Sequence, residues 1–172
     1  QIYDAVPDPI APYVVMEYVP GTTLRAWCQP GHQLGLEQIV EVGFKCAMAL
    51  GYCYRQGLVH RDVKPANILT IDTSGTVTDV KITDFGSALN LTSDATQVHR
   101  VGSLAYMSPE QLDGSELDAR ADIYSLGAVL YHLIAGRAPF EASNQASLMH
   151  QICHTDAPSL FGQRSGVTEA LD

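Results

Sequence analysis

The stretch His60-Arg-Asp-Val-Lys-Pro-Ala-Asn67 decides how this chain is read. Within eight residues it gathers a carboxylate, an ammonium and a side-chain amide, between a long helical pattern and a short strand. Asp62 is suited to take a proton from a hydroxyl. Lys64 is suited to steady a phosphoryl oxygen, and Asn67 offers a carbonyl oxygen to a divalent cation. Twenty-two positions after Asp62, Asp84-Phe-Gly86 closes another strand and supplies a second oxygen ligand. Phosphoryl transfer needs such a set, because it asks for a placed base and for cations spread over the phosphates rather than for covalent chemistry.

Working outward, Leu36–Gln56 is the clearest helix. Ile39, Val42, Cys46, Ala49 and Cys53 recur at three- and four-residue steps, and Gly57 is placed to stop it. A second, strongly apolar helix is expected over Ala121–Ala135, ended by Gly136 and Pro139, and a shorter one over Asn144–His154. Tyr13–Val19 is β-branched and aromatic and stops at Pro20-Gly21, which predicts a strand and a turn. Leu24–Cys28 reads as a short helix, and Ile68–Ile71 and Val77–Thr83 as strands joined at Thr73-Ser-Gly75. Asp84–Glu110 is polar, carries no period and reads as one long loop, expected to be the most mobile part. The two long helices should form the core.

The 172 residues suffice for one domain. Ten Lys and Arg against nineteen Asp and Glu leave a net charge of −9, which speaks against a nucleic-acid or anionic-lipid surface. Apolar residues at 46% and charged residues at 17% describe a globular chain rather than a disordered one. Cys28, Cys46, Cys53 and Cys153 show no C-x-x-C spacing and read as reduced thiols. The longest apolar stretch, Ile123–Ala135, is too short for the roughly 20 residues of a membrane span. No signal peptide is visible. His150 and His154, four apart with Cys153 between them, read as a solvated helix face, and the acidic cluster of Asp113, Glu116 and Asp118 reads as a solvated loop.

His60-Arg-Asp-Val-Lys-Pro-Ala-Asn67, Asp84-Phe-Gly86 and Ser108-Pro-Glu110 stand in order, the last Glu 26 positions after Asp84. In these three motifs the sequence resembles the eukaryotic-type Ser/Thr protein kinases, their bacterial branch above all. Val63 and Ser108 are its mild departures from the family pattern. The resemblance covers essentially the whole chain. It implies an α+β, protein-kinase-like fold, with a mostly helical large lobe and a remnant of the small-lobe antiparallel sheet. Residues 1–19 would be the end of the small lobe and the hinge. Residues 20–172 would be the large lobe, truncated at its C-terminal end.

By resemblance, Asp62 would be the catalytic base and Lys64 the γ-phosphate contact, with Ser103 touching both. Asn67 and Asp84 would be the Mg2+ ligands. Met16 would be the gatekeeper, with the Glu17 carbonyl and the Val19 amide facing the adenine of ATP, and Leu24 and Leu69 beneath it. Asp122 would anchor the catalytic-loop backbone, and His60 and Phe85 would pack in the regulatory spine. Arg61 would suit a loop phosphate, with Thr92, Ser93 and Thr96 as candidates and Thr96 favoured by position. The cofactors implied are ATP and Mg2+, and the partner is a protein carrying Ser or Thr. No nucleic acid and no membrane segment are expected, and the location is cytoplasmic, any anchor of the parent lying outside this segment.

Two family features are missing from these residues. No G-x-G-x-x-G occurs, and Lys45, Lys64 and Lys81, the three lysines, all follow the hinge. Glu110 would, in the family, pair with an Arg from a late helix, for which Arg120 or Arg137 are the substitutes at hand. The expected function is therefore a Ser/Thr kinase present as its catalytic-lobe fragment. The alternative is a truncated, non-catalytic binding or scaffolding module.

Overall fold

The computed structural model describes residues 2–7, 10–11, 13–29, 31–85, 89–90 and 101–169, with the side chains of 89–90 and 101–103 left out. Strands β1 (Ile2–Val6) and β2 (Tyr13–Met16) form an antiparallel pair, Val6 opposite Tyr13 and Ile2 opposite Met16. Strand β3 (Thr22–Thr23) then pairs with β5 (Ile68–Thr73), and β5 with β6 (Thr76–Ile82), giving a three-stranded antiparallel sheet ordered β3-β5-β6. A third small pair joins β4 (Leu58–Val59) to β7 (Leu89–Asn90). The α+β class stands.

Helix α1 (Leu36–Arg55) ends where the sequence says, with Gly57 at φ 77° and its N–H on the Tyr54 carbonyl. Its buried side is Ile39, Val42, Gly43, Cys46 and Leu50. Ala49, expected on that side, is exposed, because a 3.6-residue period carries the stripe from Cys46 to Leu50 instead. Gly43 allows the close approach of α3 (Ala119–Ala135): a Cβ there would lie 3.0 Å from a Leu130 methyl. Between α1 and α3 lies the core, which includes Leu34, Val63, Ile68, Val129 and Leu133. Cys46 is fully buried, and burial pushes its thiol up to about 12, as inert as a core methyl.

Asp118 caps α3 by accepting the Arg120 N–H, and Gly136 at φ 74° ends it. The helix thus starts two residues before the expected Ala121. Arg120 also pairs with Asp118 through its Nε at 3.0 Å, and Glu110 adds a weaker electrostatic pull on the same guanidinium. The acidic loop thus has structural work at two of its members, Asp118 here and Asp113, whose Oδ1 accepts the Ser115 N–H at 2.9 Å. Helix α4 (Gln145–His154) is capped by Asn144 and carries the exposed His150 and His154 rings 4.8 Å apart.

The long polar segment is where expectation and structure part. Residues 101–106 form a 3₁₀ turn and Pro109–Asp113 a short helix, α2. The signal was in the sequence: Ser108-Pro-Glu-Gln111 is a capping box, with Pro at the first helical position. Thr92, Ser93, Thr96 and Gly86 lie outside the described residues, as does the Ser103 side chain.

Candidate active site

Asp62 sits in the turn between β4 and the 3₁₀ turn Pro65–Asn67. The Lys64 ammonium donates to its Oδ2 at 2.6 Å, and the Asn67 Nδ2 donates to the same oxygen at 2.9 Å. Asn67 Nδ2 also reaches the Asp62 carbonyl at 2.9 Å. These bonds lock the carboxylate in one orientation. Among the described residues Oδ2 takes both side-chain bonds, which leaves Oδ1 to face an incoming hydroxyl. The same bonds orient the Asn67 amide. With its nitrogen spent on Asp62, its carbonyl oxygen is the atom left for a cation.

The backbone around Asp62 is strained and held. Arg61 has φ 68°, a left-handed conformation that costs a non-glycine residue about 1–3 kcal/mol. Asp122, 3% exposed on the first turn of α3, holds it there. Its two oxygens accept the N–H groups of His60 and Arg61, each at 2.8 Å. Burial outweighs those bonds and holds the Asp122 carboxyl above the ordinary carboxylate range. From the other side Gln111 Nε2 donates to the Arg61 carbonyl at 2.7 Å, so α2 is tied to the same turn. Sequence reasoning missed that tie, which joins residues 50 positions apart.

Asp84 follows β6 and is itself left-handed, φ 63°. The Thr83 N–H donates to the Asn67 carbonyl at 2.9 Å, which ties the two oxygen-bearing elements together. The His60 ring, fully buried, bonds the Thr83 carbonyl at 3.0 Å and meets the Phe85 ring edge-on at 4.7 Å. His60 is thus a strut between the two turns.

Above Asp84 opens a cleft of about 590 Å³. Ile2, Val14, Met16, Glu17 and Val19 line one side, and Leu69, Ile82, Thr83, Asp84 and Phe85 the other. The volume suits a nucleotide-sized ligand, and the walls are mostly apolar with a carboxylate at one end. Met16, Glu17, Val19 and Leu69 therefore come together as the sequence suggests. Leu24 does not: it is fully buried in the core, at the start of the 3₁₀ turn Leu24–Cys28, and lines no part of the cleft. The turn that follows β3 points its side chain inward, so Leu69 supplies the floor. Lys81, also lining the cleft, is ion-paired with Glu17, a contact across 64 positions that no local pattern announces. The Lys81 ammonium holds the Glu17 carboxyl down to about 2.

Among the described residues no cluster of three or more His, Cys, Asp or Glu could hold an ion. The donor set that exists, one carboxylate and one amide oxygen, fits a hard cation that keeps water and phosphate ligands, as Mg2+ does, and fits no transition metal site.

The protein kinase domain family model matches residues 1–166. The serine/threonine-protein kinase PknB of Mycobacterium leprae is 38% identical over 165 residues, covering 94% of this chain and 26% of the relative. Probable serine/threonine-protein kinases of Clostridium acetobutylicum and Streptomyces coelicolor are 39% and 38% identical, over 86% and 93% of this chain. This chain spans about a quarter of the length of such relatives, 22% and 25% in the last two. With the family model matched over residues 1–166 and relatives of this kind at 38% identity over 94% of it, the chain belongs to the protein kinase domain family.

Proposed function

We propose that this chain is the catalytic part of a Ser/Thr protein kinase, which moves the γ-phosphate of ATP to Ser or Thr hydroxyls of a protein. Residues 1–19 serve as the end of the small lobe and the hinge, and residues 20–172 as the large lobe. One observation carries the reading: Asp62 is fixed by Lys64 and Asn67 with one oxygen left over, beside a nucleotide-sized cleft that ends at Asp84.

In this reading adenine lies between Met16, Val19 and Leu69, with the Glu17 carbonyl and the Val19 N–H as its polar contacts. Asn67 and Asp84 hold Mg2+. When bound, Mg2+ neutralises the charge of the phosphates. Asp62 Oδ1 accepts the proton of the substrate hydroxyl as its oxygen attacks phosphorus, and ADP leaves. Lys64 keeps the Asp62 carboxylate aimed and faces the transferring phosphoryl group, with Ser103 beside it. The setting is cytoplasmic, where ATP is, and no nucleic acid takes part. Among the described residues no helix is long and apolar enough to cross a membrane.

Incubation of the natural protein with labelled ATP, Mg2+ and a protein offering Ser, Thr and Tyr tests this. Label on Ser and Thr is the expected result. Label confined to Tyr contradicts the substrate assignment. ATP binding without transfer favours the non-catalytic module instead.

A further inference from the structure

Helix α4 presents two imidazoles that no step of the transfer uses. Its inner side is anchored: Ile152 is buried, and the helix packs on α2. Both of its ends are closed. Asn144 Oδ1 accepts the Ser147 N–H at 2.9 Å, and the Thr155 N–H donates to the Gln151 carbonyl at 2.9 Å. His150 and His154 are both exposed and stand one turn apart. Residues four apart on a helix are neighbours, with Cβ atoms about 5–6 Å from each other. The backbone therefore sets the spacing of two nitrogen donors before any ligand arrives.

The two rings lie where a shared ion would put them. Their centroids are 4.8 Å apart, and their planes are tilted by 59° rather than stacked. Two imidazoles on one ion, each with its nitrogen about 2.0–2.1 Å away, bring their centroids to about 4.5–5.2 Å as the angle at the ion opens from square to tetrahedral. Imidazole nitrogen suits Zn2+, Ni2+ and Cu2+, whereas Mg2+ takes oxygen. Among the described residues no third His, Cys, Asp or Glu completes a group with them. We propose that His150 and His154 form a two-imidazole site for a divalent transition ion, with water in its other positions. Nitrogen donors set this site apart from the oxygen donors Asn67 and Asp84. The proposal does not depend on the kinase reading.

Calorimetric titration of Zn2+ into the natural protein, with Mg2+ in excess to hold the oxygen sites, tests it. One ion per chain is the expected result. His150→Gln and His154→Gln should each weaken binding about tenfold or more, because the second imidazole acts as an intramolecular ligand at high effective concentration. Both side chains are exposed, so the metal-free thermal midpoint should stay nearly unchanged in either variant. Zn2+ should raise the midpoint of the wild type and leave that of the double variant where it was, since an ion that binds the folded pair stabilises it by mass action. His32→Gln removes another exposed imidazole and should bind Zn2+ as the wild type does.

Nuclear magnetic resonance of the wild type reads the site without any substitution. The ring signals of His150 and His154 should shift together as Zn2+ is added, and Mg2+ alone should leave them in place. Absence of Zn2+ binding overturns the proposal, and so does binding that survives the loss of both rings. A Cys153→Ser variant that loses as much affinity as either histidine variant also overturns it, because a thiolate would then hold the ion.

Discussion

Asp122→Ala is expected to destabilise the domain by about 3–5 kcal/mol. The substitution strips the acceptors from two backbone N–H groups, the buried one of His60 and the half-buried one of Arg61, each bonded at 2.8 Å. A hydrogen bond to a charged group contributes about 1.5–3 kcal/mol, and two are lost together. The left-handed Arg61 adds to the effect, because those bonds and the Gln111 tie hold it in that conformation. That sum is a large share of a domain's total stability of about 5–15 kcal/mol. Asp122→Asn keeps one acceptor and should lose about half as much, and it also removes the cost of burying a charge. Urea titration measures both. A midpoint for Asp122→Ala equal to that of the wild type would mean that the catalytic turn holds its shape without α3.

Asp84→Asn has a different signature. It leaves the fold intact, since Asp84 stands at the cleft and its strained backbone, φ 63°, suits Asn at least as well as Asp. What changes is the charge offered to the cation, from a carboxylate to a second neutral amide beside Asn67. Transfer should fall by about a hundredfold or more, the scale seen when a charge-stabilising group is removed from a preorganised site. The Mg2+ concentration for half-maximal rate should rise, while thermal stability stays within about 0.5 kcal/mol. A normal rate at an unchanged Mg2+ requirement would remove Asp84 from the metal site and leave Asn67 without its partner ligand.

The parts of this account that were legible in the sequence are local or end on a helix. His60–Asn67 and Asp84-Phe-Gly86 are short stretches at strand ends that set charged and amide side chains among small or apolar residues, with no helix or strand period to explain them. Helices α1 and α3 announce themselves through period and through Gly57 and Gly136. Asp122, polar at the head of an apolar helix, was named as the anchor of the loop through the family resemblance, and its bonds to the His60 and Arg61 N–H groups match that place. The parts that were not legible are long-range pairs. Lys81 with Glu17 and Gln111 with the Arg61 carbonyl join residues 64 and 50 positions apart, and only the folded sheet and helices set those distances. Leu24 illustrates the opposite error. A leucine shortly after the hinge fits the cleft by order along the chain, but the 3₁₀ turn it opens sends it to the core. The segment before Ser108 looked featureless because a 3₁₀ turn has no amphipathic period to read.

The most direct test of the central claim is γ-phosphate transfer by the natural protein against its Asp62→Asn variant, with Mg-ATP affinity measured on the same preparations. Asn is the size of Asp and can still bond Lys64 and Asn67, but it takes no proton from a hydroxyl. Loss of the base predicts a rate lower by about 10²–10⁴-fold with the nucleotide affinity unchanged. Equal rates for the two proteins would contradict the account, since the residue that Lys64 and Asn67 hold in place would then have no part in the reaction.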